Sequence, residues 1–100
     1  MTTTHTPQAK NGNITRVASS ATNVLALASN AERKGAVFFN ESTAIAYLLL
    51  QKGTASATNY TVQLAANGGM FKLDRFDYTG EVNVIWASAN GALMVTELTA

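Results

Sequence analysis

Residues 81–98 read EVNVIWASANGALMVTEL. Val82, Val84 and Trp86 alternate with Glu81, Asn83 and Ile85, and beyond a break Leu93, Val95 and Glu97 alternate with Met94, Thr96 and Leu98. A period of two belongs to a strand, whose side chains point by turns to opposite faces. Between the two runs stands Asn90-Gly91, a pair suited to the positive φ that both central residues of a type I′ turn require. The expectation is an antiparallel hairpin closed by pairing of Ala89 with Ala92.

The same texture extends upstream. Short runs rich in Val, Ile, Phe, Tyr and Thr occupy 14–18, 24–28, 36–40, 45–51, 60–64, 70–73, 82–87 and 92–98. Turn-forming clusters separate them, among them Asn40-Glu41-Ser42-Thr43, residues 53–59, Asn67-Gly68-Gly69 and Tyr78-Thr79-Gly80. Strands of this length and spacing predict an all-β domain, an antiparallel β-sandwich of about eight strands with jelly-roll-like topology. Residues 14–100 form that domain. Residues 1–13 are polar, contain Pro7 and the turn-prone Asn11-Gly12-Asn13, and read as an extended N-terminal arm.

Two stretches carry more than one reading. Residues 22–34 place Val24, Leu25, Leu27, Ala28 and Ala31 at helical spacing with Gly35 beyond; the alternative is a strand at 24–28 and a turn at Ser29-Asn30-Ala31, which matches the surrounding pattern. Residues 45–50, IAYLLL, do not alternate, and a strand apolar on both faces needs cover on both. Leu48 and Leu50 are expected to face the core, with Tyr47 and Leu49 outward under the arm or another subunit; the opposite register is the alternative.

Composition narrows the function classes. The chain has 100 residues, no cysteine, 13% charged residues against 47% apolar ones, and a formal charge of +1. Without cysteine there is no disulfide framework, thiolate metal site or thiol nucleophile. A small unstapled domain relies on its core or on oligomerisation. A surface built mostly of Thr, Asn, Ser and Ala costs little to desolvate, which suits packing against neighbours. Arg33-Lys34 is the single adjacent basic pair, so the several phosphate contacts of nucleic-acid binding are not expected. No apolar run approaches the ~20 residues of a membrane span, and the first residues lack the apolar segment of a signal peptide.

Residues with chemistry in them are few. His5 is the only histidine, so neither a triad nor an intrachain histidine metal site is expected, although copies of His5 could meet on a symmetry axis. Asp74, Asp77 and Glu81 surround Arg75, Phe76 and Tyr78; they lack calcium-loop spacing and read as a solvated loop whose aromatics plug one end of the sandwich. Trp86 could stack on a sugar, but its place in an alternating strand points to the core. The acceptor triplets beginning at Asn13, Asn40 and Asn59 are those expected by chance in a chain rich in Asn and Thr. No catalytic, cofactor or metal residue is expected.

From residue 14 onward the chain resembles small virion structural proteins of tailed bacteriophages. The matching stretches are Arg33-Lys34-Gly35-Ala36-Val37-Phe38-Phe39-Asn40, Ala46-Tyr47-Leu48, Tyr78-Thr79-Gly80, and Ile85-Trp86-Ala87-Ser88-Ala89-Asn90-Gly91 running into Val95-Thr96-Glu97-Leu98. The resemblance implies a β-sandwich that decorates or cements the capsid surface, is made in the host cytoplasm, and forms a homo-oligomer, with a trimer favoured. Its partner would be the major capsid protein or another virion protein. A tail-associated adaptor and a carbohydrate-binding tail module are the alternatives, and a small hydrolase would need its acids to converge on a cleft. The residues expected at interfaces are Thr2, Thr3, Thr4, His5 and Pro7 of the arm, with Tyr47, Leu49, Phe76 and Tyr78.

Overall fold

The structure is a computed structural model that describes residues 9–74 and 78–100. Its regular elements are eight strands: β1 (Asn11–Ala18), β2 (Val24–Leu27), β3 (Arg33–Asn40), β4 (Ala46–Leu49), β5 (Val62–Leu64), β6 (Gly69–Leu73), β7 (Val82–Trp86) and β8 (Ala92–Thr99). They form two antiparallel four-stranded sheets, ordered β1-β8-β3-β6 and β2-β7-β4-β5. Residues 22–34 are strand β2, a turn and the start of β3, so the helical spacing there is overridden by pairing with β7 and β8.

The two sheets share one core. Val17, Ala36, Phe38, Leu73, Leu93 and Val95 come from the first sheet, and Leu27, Ala46, Leu48, Leu64, Val82, Val84 and Trp86 from the second. Each is the inward member of a period-two pattern, as in Val82, Val84 and Trp86 along β7. Phe38 stacks against Phe71 with ring centroids 6.3 Å apart. Burying a side chain of this size contributes roughly 1.5–3 kcal/mol, which makes the interleaved apolar faces the main source of stability.

The expected C-terminal hairpin is absent. β7 pairs with β2 and β4, whereas β8 pairs with β1 and β3. The connection through Asn90-Gly91 therefore crosses from one sheet to the other. Among the described residues only Asn67 has a positive φ without being glycine, so Asn90 does not adopt the type I′ conformation. Gly91 is required for space: a Cβ there would lie 2.5 Å from the Cα of Ser42. The Asn-Gly pair with positive φ at both positions is Asn67-Gly68, at 59° and 121°, where the chain crosses from β5 to β6. β4 and β5 are the one pair of consecutive strands that lie side by side.

The first strand begins inside the stretch expected to be an arm. Asn11, Gly12 and Asn13 belong to β1, opposite Thr99, Leu98 and Glu97 of β8. Turn-prone residues are drawn into a strand here because β8 extends far enough to pair with them. Thr2, Thr3, Thr4, His5 and Pro7 lie outside the described residues, as do Phe76 and Asp77.

Candidate interaction surfaces

Two buried polar clusters close the ends of the sandwich. At one end, Arg33 opens β3 with its side chain fully buried. Its Nε donates to Glu97 Oε2 at 2.8 Å, Nη1 to the carbonyls of Tyr78 and Gly80 at 3.2 and 2.8 Å, and Nη2 to that of Ala28 at 2.6 Å. One guanidinium thus ties β8 to the β2–β3 and β6–β7 connections. Tyr78 packs against the core and donates its hydroxyl to the carbonyl of Glu81 at 2.6 Å. Burial pushes the Tyr78 phenol above its ordinary value of 10.0, Arg33 pulls it back, and Glu81 adds to the rise.

At the opposite end Asn40, fully buried, donates through Nδ2 to the carbonyls of Ala44 and Ala65 at 2.9 and 3.0 Å. Its Oδ1 accepts from the backbone N–H of Ser42 at 3.1 Å and from the indole of Trp86 at 3.2 Å. Ser42 donates its hydroxyl to Asn90 Oδ1 at 2.9 Å and accepts from the Ala44 N–H. Asn40 and Ser42 hold the β3–β4, β5–β6 and β7–β8 connections together. Both clusters are saturated by their own chain, and among the described residues no group of His, Cys, Asp and Glu could hold a metal ion.

The expectations for aromatic and acidic residues divide accordingly. Trp86 is 2% exposed and sits in the core, so it offers no sugar-stacking face. Asn40, which opens one of the chance acceptor triplets, is inaccessible. Asp74 is exposed, and Glu81 accepts from Asn83 Nδ2 at 2.9 Å. Tyr78 is half-buried and internally bonded, an end-plugging residue.

Part of the outer face of the second sheet is covered by its own chain. Leu48 is core and Leu50 packs against it, the expected register, and Tyr47 and Leu49 lie on the other face. Leu49 is nevertheless only 3% exposed. Residues 50–61 of its own chain fold back over this sheet. Asn83, directly opposite Leu49, donates to the Gln51 carbonyl and accepts from Asn23, which accepts in turn from the N–H of the buried Ala55. Tyr60 covers Tyr47 with ring centroids 5.1 Å apart. A long connection pinned by side-chain amides covers Leu49 locally, whereas Leu25, opposite Asn83 on the same outer face, stays 49% exposed.

The first sheet has no such cover. Its outer rows run Arg16–Met94–Phe39–Met70 and Ile14–Thr96–Val37–Lys72 across the four strands. Ile14 is 66%, Met70 55% and Phe39 40% exposed, with Val37, Met94 and Leu98 half-buried beside them. Apolar side chains grouped across one sheet face differ from singly scattered exposed residues and make this face a candidate interaction surface. Sequence reasoning placed none of these residues at an interface; the signal was the run Val37-Phe38-Phe39, apolar on both faces just as IAYLLL is. The arrangement can bind by contact, and its charges are few: Arg16 pairs with Glu41 at 2.9 Å, and Lys72 stands at the far edge.

No known family, curated protein or solved structure matches the chain.

Proposed function

We propose that this chain is a virion structural protein of a tailed bacteriophage, a decoration or cement protein that binds copies of itself and the major capsid protein and stabilises the head shell. The observation that carries the reading is the uncovered apolar face of the β1-β8-β3-β6 sheet, on a domain whose buried Arg33, Asn40 and Ser42 are spent on closing its own ends. Such a molecule has contact area to offer. An interface of standard size, about 1,600 Å², supports specific attachment, and many symmetry-related copies multiply the effect.

The connectivity supports reading the sandwich as a jelly roll. Apart from β4 and β5, consecutive strands alternate between the sheets, and β8 returns to lie beside β1 while β7 lies beside β2, as two nested Greek keys require. This agrees with the resemblance to small virion proteins.

The test compares particles assembled with and without the chain. Heads lacking it should lose heat or chelator resistance. Particles that assemble and survive equally well, with the chain located at the tail, would replace the cement reading by that of a tail adaptor.

A further inference from the structure

A sandwich has four sheet edges, and each open edge is a row of unpaired backbone groups that a protein must blunt or use. Three of the four are blunted here. β5 has three residues and β2 four, with a register shift between Leu25 and Leu27. β6 has five and carries Lys72. β1 differs: eight residues, an unbroken register from Asn11 to Ala18, no proline, and one charge, Arg16, that Glu41 pairs. It is also barely anchored by burial, since Val17 is its single buried residue.

The ladder fixes which groups of β1 are left without a strand partner among the described residues. Ser19 N–H bonds the Gly91 carbonyl and Glu41 N–H the Ala92 carbonyl, so odd-numbered residues of β8 pair towards β1 and even-numbered ones towards β3. Along β1 the odd residues are therefore satisfied by β8. The N–H and C=O groups of Gly12, Ile14, Arg16 and Ala18 point away from the sheet, and the side chains of Ile14 and Arg16 lie on its apolar outer face.

We infer that two copies of this chain associate across a two-fold axis by antiparallel pairing of their β1 edges, centred on Ile14. Centring there lets Ile14 face its own copy, Gly12 face Arg16 of the second copy, and Asn13 face Thr15. The three opposed pairs with free groups make about six backbone hydrogen bonds, two per pair. Side-chain pairing favours this register. Shifting the centre to Asn13 sets Lys10 directly opposite Arg16, where like charges repel, and shifting it to Thr15 sets Arg16 against Ile14 and ends the apolar self-contact. Centring on Ile14 places Arg16 opposite the uncharged Gly12, with Lys10 of the second copy at a diagonal position. Gly12, without a Cβ, leaves room for the Arg16 stem, and Glu41 already neutralises that guanidinium. The joined sheet buries Ile14, the most exposed large apolar side chain described, and unites the two apolar faces. The resemblance implies a trimer; the edge geometry supports a two-fold pair. The inference rests on the β1 edge alone and holds or fails independently of the virion reading.

A residue on the two-fold axis meets itself, which provides the test. The full-length protein and its Ile14→Lys and Ile14→Glu variants are purified, shown by circular dichroism to keep the strand spectrum, and measured by sedimentation equilibrium across the micromolar range. The parent should sediment with the mass of two 10.5 kDa chains. Each variant alone should self-associate about tenfold more weakly or worse, and an equimolar mixture of the two should return to the two-chain mass. A single-chain or three-chain parent, a pair indifferent to the substitutions, or a mixture that fails to recombine each overturns the inference.

Discussion

Asn40→Ala should be among the most damaging single substitutions in this protein, although Asn40 lies in a segment that reads as a turn. The change strands two buried donors, the Ser42 N–H and the Trp86 indole N–H, and removes the donor of the Ala44 carbonyl. The Ala65 carbonyl keeps the Gly69 N–H. A stranded buried donor costs about 1–3 kcal/mol, so the two together cost about 2–6 kcal/mol before the void is considered. A domain of this size has a total stability of about 5–15 kcal/mol. At ~3 kcal/mol, the lower half of the range, Tm falls by roughly 12–24 °C at 4–8 °C per kcal/mol. Urea titration read by fluorescence reports directly on the site, because Trp86 is the only tryptophan. In a Trp86→Phe background, followed by circular dichroism, the cost of Asn40→Ala should drop by about 1 kcal/mol, the coupling lost with the indole bond. A cost below about 1 kcal/mol in the parent would refute the claim that this amide closes the end of the sandwich.

At the other end, Arg33→Ala should cost about 3–5 kcal/mol by leaving Glu97 and three carbonyls without their partner; Arg33→Lys should restore little, since an ammonium cannot span the same four acceptors, and equal melting temperatures for Arg33→Lys and the parent would contradict this. Gly91→Ala should cost about 1–3 kcal/mol because the new Cβ meets Ser42, whereas Gly53→Ala, also at positive φ but with open space around it, should cost less; thermal melts showing the reverse order would count against the sheet-to-sheet crossing at Gly91. Tyr78 gives a pH signature: its folded pKa lies above the unfolded value of 10.0, so the folded state holds its proton longer and stability declines as pH rises from 10 through the folded pKa. Tyr78→Phe should flatten that alkaline decline, and urea midpoints with the same slope in both proteins would rule the linkage out.

How much was legible in the sequence follows from what alternation encodes. A period of two states which side chains share a face, so the eight strands and the inward residues of β7 and β8 could be read directly. It does not state which sheet a strand joins. Val82, Val84 and Trp86 face Leu93 and Val95 whether the two runs lie side by side or across the core, and Asn90-Gly91 suits a sharp change of direction in either case. The unalternated run at 45–50 correctly signalled cover on both faces, but a composition-based reading could not see that residues 50–61 return to provide it, since their attachment depends on Asn23, Asn83 and Ala55 meeting in space. Arg33 and Asn40 were missed for a shared reason: one stands in a basic pair and the other in a polar turn, and only the paired strands show both side chains turned inward with every polar atom bonded. The apolar outer face of the first sheet was hidden in the same way, because Ile14, Phe39, Met70 and Met94 come from four separate strands and become neighbours only through register.

The central claim, that this domain works as a contact-forming component of a phage head, is tested most directly by a cryo-electron-microscopy reconstruction of particles produced with the chain present. The account predicts sandwich-shaped density on the outer surface of the head shell, touching the major capsid protein at symmetry-related positions. Density confined to the tail, or purified particles that contain none of the chain, would contradict it.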